Sequence, residues 1–230
     1  LPECDLHTPC PIGYLAWHEW AESMAPTHRP RLCTGCGKYA IWESKPIATP
    51  GAPFDVRERT ASIDPTGTYR YTLTRRWGTV ENTVVFVGLN PSTADAQADD
   101  PTIRRCMRFA ADWGFGQLIM VNLFALRSKD PDALRAHPAA TGPDNDRVVA
   151  DACLAADLVV GAWGSHPLAA AQAARARRTG VLPDQVADIG RTVNGQPRHP
   201  LYVRGDARPM VAGQPAILPV RWPEPQELAA

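Results

Sequence analysis

The sequence predicts an α/β fold: a three-layer sandwich around a central, mostly parallel sheet, with a small cysteine-rich module at its amino end. Three observations carry this expectation. Short apolar runs at Val84–Val87, Gln117–Phe124 and Leu158–Val160 read as strands buried on both faces, as in a parallel sheet covered by helices. Helical patterns alternate with them, as βαβ units require. The runs lead into Gly88, Asn122 and Gly161, so polar loops leave the carboxyl ends of the strands, where open α/β sheets bind ligands.

The amino-terminal module, residues 1–46, holds Cys4, Cys10, Cys33 and Cys36. Cys33-Thr34-Gly35-Cys36-Gly37 is a knuckle whose glycines let two thiolates face one ion. A structural zinc site needs four such ligands in a tetrahedron. The second pair must come from Cys4, His7, Cys10, His18 or His28. Tyr14–Met24 reads as a helix ended by Pro26, and His28 lies near enough to the knuckle to reach it without a long loop. The expected set is Cys10, His28, Cys33 and Cys36, with His18 or Cys4 as substitutes. So short a segment buries little core, and a metal makes its folding intelligible. A redox CxxC is the competing reading, but the βαβ context it usually has is missing.

Residues 47–53 read as a linker, and the main domain is expected over 54–222, with a tail at 223–230. Tyr69–Trp77 alternates and is rich in aromatic and β-branched residues, a strand pattern. Val84–Val87 is the next strand. Asp99-Asp100-Pro101 starts a helix, with Ile103, Met107, Ala110 and Trp113 on its apolar face and Gly114 as its stop. Gln117–Phe124 is a strand, Asp144–Ala156 a helix, Leu158–Val160 a strand, Pro167–Arg178 an Ala/Arg helix and Val186–Ile189 a short strand. From Pro209 the chain is proline-rich and reads as extended, wrapping the domain. Cys106 and Cys153 fall inside helical patterns and read as small buried hydrophobes.

Composition bounds the function. At 44% apolar and 21% charged the chain is an ordinary globular protein. No run approaches the ~18 apolar residues of a membrane span. There is no basic-then-apolar leader, and the chain opens at Leu1, so its natural start is expected to be missing or trimmed. A cytoplasmic location and no membrane partner are expected. The net charge is zero, which removes bulk charge as an argument for nucleic acid. Arginines nevertheless gather at Arg104, Arg105 and Arg108, and at Arg198 and Arg204. Such clusters meet phosphates or simply form a solvated face.

The segments YRYTLTRRW, GLNPSTAD, DDPTIRRC, FAADWGF, VNLFALR, GPDND, AWG and RHPLY resemble the domain-of-unknown-function family 1643, from Tyr69 to about Tyr202. More distantly, the order of motifs is similar to the uracil-DNA glycosylase superfamily, in particular its mismatch-specific uracil/thymine branch. In that branch a strand ends in a GINPG-type motif whose asparagine positions the attacking water. Gly88-Leu89-Asn90-Pro91-Ser92 matches it, which implies that role for Asn90. A Gly-plus-small-residue turn follows a later strand, here Gly161–Gly164. A His-Pro motif then enters the minor groove, here His199-Pro200-Leu201-Tyr202. Two positions depart: Ser92 replaces the closing glycine, and Leu201-Tyr202 replaces the usual Ser-Pro.

Cleaving an N-glycosidic bond needs a positioned water, a donor to the leaving base and a pocket for an extruded base. An asparagine side chain both accepts and donates, which suits Asn90; the competing reading is a turn residue bonded to its own backbone. His199 suits the donor or phosphate-clamp role, or is a satisfied loop histidine. Ser92, Thr93 and Asp95 are placed to read base edges. Asn122 fixes a neighbouring loop, and Trp163 stacks on a base or sits in the core. The leading expectation is a DNA glycosylase-like hydrolase acting on a modified or mismatched base. Alternatives are a hydrolase or transferase on modified nucleosides, and a non-catalytic nucleic-acid binder.

Overall fold

The computed structural model describes residues 56–77 and 82–218, together with two short strands nearer the amino terminus. The chain divides into two compact units, Leu1–Ala52 and Pro53–Ala230. In the first, β1 (Pro30–Arg31) pairs antiparallel with β2 (Ile41–Trp42). The expected zinc ligands Cys10, His28, Cys33 and Cys36 lie outside the described residues, as do His18 and Cys4.

The second unit is built on an eight-stranded mixed sheet. Its strands are β3 (Val56–Ile63), β4 (Arg70–Trp77), β5 (Thr83–Gly88), β6 (Gln117–Asn122), β7 (Leu158–Gly161), β8 (Ala187–Asp188), β9 (Met210–Val211) and β10 (Gln214–Pro215). They lie in the order β10-β9-β8-β7-β5-β6-β4-β3. The central pairings β6·β5, β5·β7 and β7·β8 are parallel. The outer four are antiparallel, so the expected mostly parallel sheet is parallel only at its centre. Two of these four are hairpins: β3 reaches β4, and β9 reaches β10, through turns too short for the crossover that parallel strands need.

Among the described residues four helices accompany the sheet: α1 (Pro101–Asp112), α2 (Ala133–Ala136), α3 (Asn145–Leu154) and α4 (Pro167–Arg178). Alternate residues of β5 divide the core. Val84 and Phe86 pack with Ile103, Met107, Phe109 and Ala110 of α1, whereas Val85 and Val87 pack with Val149 of α3 and Ala169, Ala173 and Ala176 of α4. Helices therefore cover both faces of the central strands, which explains why β5 is buried at every position. Phe86, Trp113 and Phe109 stack with ring centroids 5.7 and 5.4 Å apart. Asp100 caps α1 by accepting from the Ile103 amide at 2.8 Å, and Pro101 fills the first turn. Cys106 is fully buried, and burial pushes its thiol up; Cys153 is half-buried, its thiol raised to about 11 by the same cause.

The strand order has one functional consequence. From β5 the chain moves to β6 on one side, then to β7 on the other. Connections depart in opposite directions at β5, and the crevice at such a switch point is the favoured ligand position in α/β sheets. Among the described residues no helix is long and apolar enough to cross a membrane.

Candidate functional site

The loop after β5 is tied rung by rung to the loop after β6. Leu123 N–H donates to Gly88 C=O, Phe124 to Leu89 and Ser128 to Pro91, each at 2.9 Å. Asn90 supplies the missing rungs through its side chain. Its Nδ2 lies 2.9 Å from the Ser128 carbonyl, 3.1 Å from that of Pro91 and 3.4 Å from that of Leu126. Three carbonyls around one end of the carboxamide identify that end as the donor. Both amide hydrogens are thus committed to backbone. Asn90 keeps only Oδ1 to offer, and that atom accepts.

Gly88 and Asn122 stand side by side across the parallel β5·β6 pair. A Cβ on Gly88 would lie 2.6 Å from Asn122 Oδ1, so the asparagine needs glycine as its neighbour. Asn122 is 3% exposed, and its Nδ2 has no hydrogen-bond partner. An unanswered buried donor costs about 1–3 kcal/mol. Its backbone carbonyl accepts from Nδ2 of Asn145, at the start of α3, at 3.0 Å. The side chain expected to fix a neighbouring loop thus keeps a buried donor without a partner.

The loops after β7 and after β8 frame the other half. Gly161 is glycine because Pro197 Cγ would lie 2.8 Å from its Cβ, and Gly164 N–H donates to Pro197 C=O at 3.0 Å. His199 then caps a 3-10 turn, Pro200–Tyr202, with Nδ1 accepting from the Leu201 amide at 3.4 Å. An accepting Nδ1 puts the proton on Nε2 and makes that nitrogen the donor. Burial holds the His199 pKa below the usual histidine value, against the carboxylate of Asp100, so the ring is neutral at pH 7.

A cleft of about 240 Å³ opens here, lined by Gly164, Ser165, Thr192, Val193, Arg198, His199 and Tyr202. Two of the three expected corners thus meet, while Asn90 and Asn122 do not line this cleft. Its rim carries exposed apolar side chains, with Tyr202 78% exposed and Leu201, beside it, 45% exposed. Pro200 is buried beneath them. Trp163 is 2% exposed: its Nε1 donates to Gln196 at 3.0 Å, and the Arg177 guanidinium lies 5.7 Å from the ring centroid. It packs with the α3 and α4 core.

The remaining expected residues divide between loop-building and surface. Asp95 accepts from the amides of Gln97 and Ala98 at 2.8 and 2.9 Å, bonds that hold its carboxyl below the usual range. Leu89 is half-buried against the α3 and α4 core, Pro91 is buried, Ser92 half-buried and Thr93 exposed. Arg105 donates to Val203 C=O and lies 4.9 Å over the Phe109 ring, strapping the carboxyl-terminal segment to α1. Arg104 bonds the Asp99 carbonyl, Arg198 that of Arg191, and Arg204 forms a bidentate pair with Asp206. Arg108 is half-exposed on α1. Among the described residues no cluster of histidine, cysteine and carboxylate side chains is arranged to hold a metal.

Sequence reasoning missed Asp100 as the charge beside His199, and Arg70 and Arg127 around the Asn90 loop. Asp100 had a capping role that accounted for it, and the two arginines, one in a strand pattern and one in a loop, give no periodic signal. Residues 70–201 match the family described as protein of unknown function, DUF1643. No curated protein and no solved structure matches the chain.

Proposed function

The chain belongs to the DUF1643 family, and on that premise we propose that it is a DNA glycosylase-like hydrolase that cleaves the N-glycosidic bond of a modified or mismatched base. The observation that carries the reading is the unpartnered Nδ2 of Asn122, a buried donor at the carboxyl end of the strand beside Gly88. A donor kept dry and unsatisfied where α/β sheets bind ligands has its natural complement in a base carbonyl. Sites that hydrogen-bond a substrate in this way discriminate strongly, because the wrong base leaves the donor unpaired.

The other groups take complementary parts. Oδ1 of Asn90 accepts from a water and orients it toward the sugar carbon. As the water oxygen bonds to that carbon, the glycosidic bond breaks and the base leaves as an anion, which takes up the proton that the attacking water sheds. The neutral His199 offers its Nε2 proton as a hydrogen bond to developing negative charge. Leu201 and Tyr202 supply an apolar, aromatic rim on which bases stack. This division of labour agrees with the resemblance to the uracil-DNA glycosylase superfamily, in which a three-layer sandwich carries the same order of loops. Structural zinc on Cys10, His28, Cys33 and Cys36 is part of the proposal, with DNA as the partner. The β1·β2 pairing brackets Cys33 and Cys36 in sequence, as a knuckle would require.

A second reading, hydrolysis or transfer on free modified nucleosides, is favoured by the size of the cleft, which suits one base better than a duplex. One experiment tests both. Duplexes and nucleosides bearing uracil, mismatched thymine or hypermodified pyrimidines are incubated with protein and analysed for alkali-labile sites and free base. The proposal expects product with the native chain and a loss of ~100-fold with Asn122→Leu. That variant removes an unsatisfied polar group, so it melts at the native temperature or above it. Unchanged product formation by Asn122→Leu would remove the base-reading role.

A further inference from the structure

In a regular strand Arg70 and Arg75 would point to opposite faces, because side chains alternate. Both nonetheless reach the loop before α1. Arg70 Nη1 donates to the Ala94 carbonyl at 2.6 Å and Arg75 Nη2 to that of Asp95 at 2.5 Å. The register explains it. Ser62 faces Thr72 while Ile63 faces Arg70, so β4 carries an extra residue at Tyr71. The bulge turns Arg70 onto the face of Arg75, the kind of re-aiming that bulges perform beside functional sites.

The two arginines then differ in what answers their charge. Arg75 Nε is 2.7 Å from the Asp99 carboxylate. Arg70 is 2% exposed, has no carboxylate within ion-pair distance among the described residues, and its Nε is without a partner. Arg127 is half-buried and shares one feature with it: its Nη1 donates to the Gly67 carbonyl at 3.1 Å, and its buried Nε has no hydrogen-bond partner. Burial first, then the positive charges of Arg127 and Arg75, push Arg70 down to about 10 against the pull of Asp100. Arg70 is thus a cation held out of water beside a second, half-buried one, and the carboxylates of Asp100 and Asp95 act on it only from beyond ion-pair distance, so a closer anion would lower the cost of its burial. Asn90 belongs to the same unit, since its Nδ2 holds the carbonyls on either side of Arg127.

We propose that Arg70 and Arg127 form a subsite for a phosphate group beside the Asn90–Ala94 loop, with Asn90 as a positioning residue for Arg127. Guanidinium forks match the spacing of phosphate oxygens, and each Nε–H left open is one arm of such a fork. The inference rests on the nucleotide reading above for the molecule that carries the phosphate. That molecule is either a mononucleotide or a DNA strand, and the two sources are separable.

The test is calorimetric titration of the full chain with thymidine, thymidine 5′-monophosphate and a thymidine trinucleotide at low salt. It compares the native chain with Arg127→Gln and Arg127→Lys. A phosphorylated probe should bind at least about tenfold tighter than thymidine, as a charge-assisted pair of hydrogen bonds implies. Preference for the monophosphate identifies a mononucleotide site, and preference for the trinucleotide identifies a strand. Arg127→Gln should erase the preference and melt no lower than the native chain, because it relieves like-charge repulsion. Arg127→Lys should restore part of it. Equal binding of all three probes, no binding of either phosphorylated probe, or an undiminished preference in Arg127→Gln would overturn the subsite. Base release that persists alongside equal binding would do so while leaving the glycosidic reading intact; phosphate preference without base release would do the reverse.

Discussion

His199 caps its 3-10 turn through Nδ1, and that bond together with burial decides what the ring does as pH changes. Its folded pKa lies below the ordinary value of ~6.5, so the unfolded chain binds the proton more readily. Stability is therefore flat above that value and falls as pH drops from it toward the folded pKa. Product formation that needs the neutral donor should show an acid limb in the same window. Asp100 is the charge that opposes the shift. Asp100→Asn should move the His199 titration, followed by proton NMR of the ring, to still lower pH; an upward shift would refute the placement. At Gly88 the neighbour is Asn122 Oδ1, and Gly88→Ala must displace that carboxamide. We expect base release to fall about tenfold or more while the melting temperature changes little, measured on the same preparation. Asn90 was legible in the sequence because a buried apolar run delivers it at a strand end. Its three backbone contacts were not, because Leu126 and Ser128 are brought to it only by the sheet. Arg70 was invisible for a sharper reason: one extra residue at Tyr71 reverses its face, and strand alternation read from sequence assigns it to the other.

The central strands and long helices were readable as elements, since continuous apolar runs and a capped amphipathic face are local signals. β5, α1, β6, α3, β7 and α4 all lie where those signals put them, within two residues at their ends. β3 was missed because its solvent-facing residues, Arg57, Glu58 and Arg59 among them, replace the apolar alternation that marks a strand. The β9·β10 hairpin was read only as extended chain, two residues per strand being too short for any period. α2 is four residues long and leaves no pattern either. In α1, Phe109 is fully buried in the stack with Trp113 and beneath Arg105. Phe109→Ala should cost about 3–5 kcal/mol in urea unfolding, with an unchanged slope. A cost below about 1 kcal/mol would mean that the stack collapses to fill the space.

At the scale of the molecule, the parallel centre and antiparallel edges of the sheet have different tasks. The centre creates the switch point at β5 and gathers the loops of Asn90, Asn122 and Gly164; the edges widen the sheet through hairpins. The family match spans this centre, from residue 70 to 201. The amino-terminal unit stands as a separate compact body. If zinc folds it, metal analysis of purified chain gives one zinc per molecule. A strong chelator should then unfold this unit and leave the melting of the larger one in place. Absence of stoichiometric zinc would refute the module. The loop after β5 is proposed to hydrolyse a glycosidic bond. Its most direct test is mass-spectrometric detection of free base released from modified or mismatched duplexes by the native chain and by Asn90→Ala. We expect a released base matched by abasic sites, slowed ~100-fold or more in the variant. Tight DNA binding with no base released from any duplex, or release at the native rate by Asn90→Ala, would contradict it.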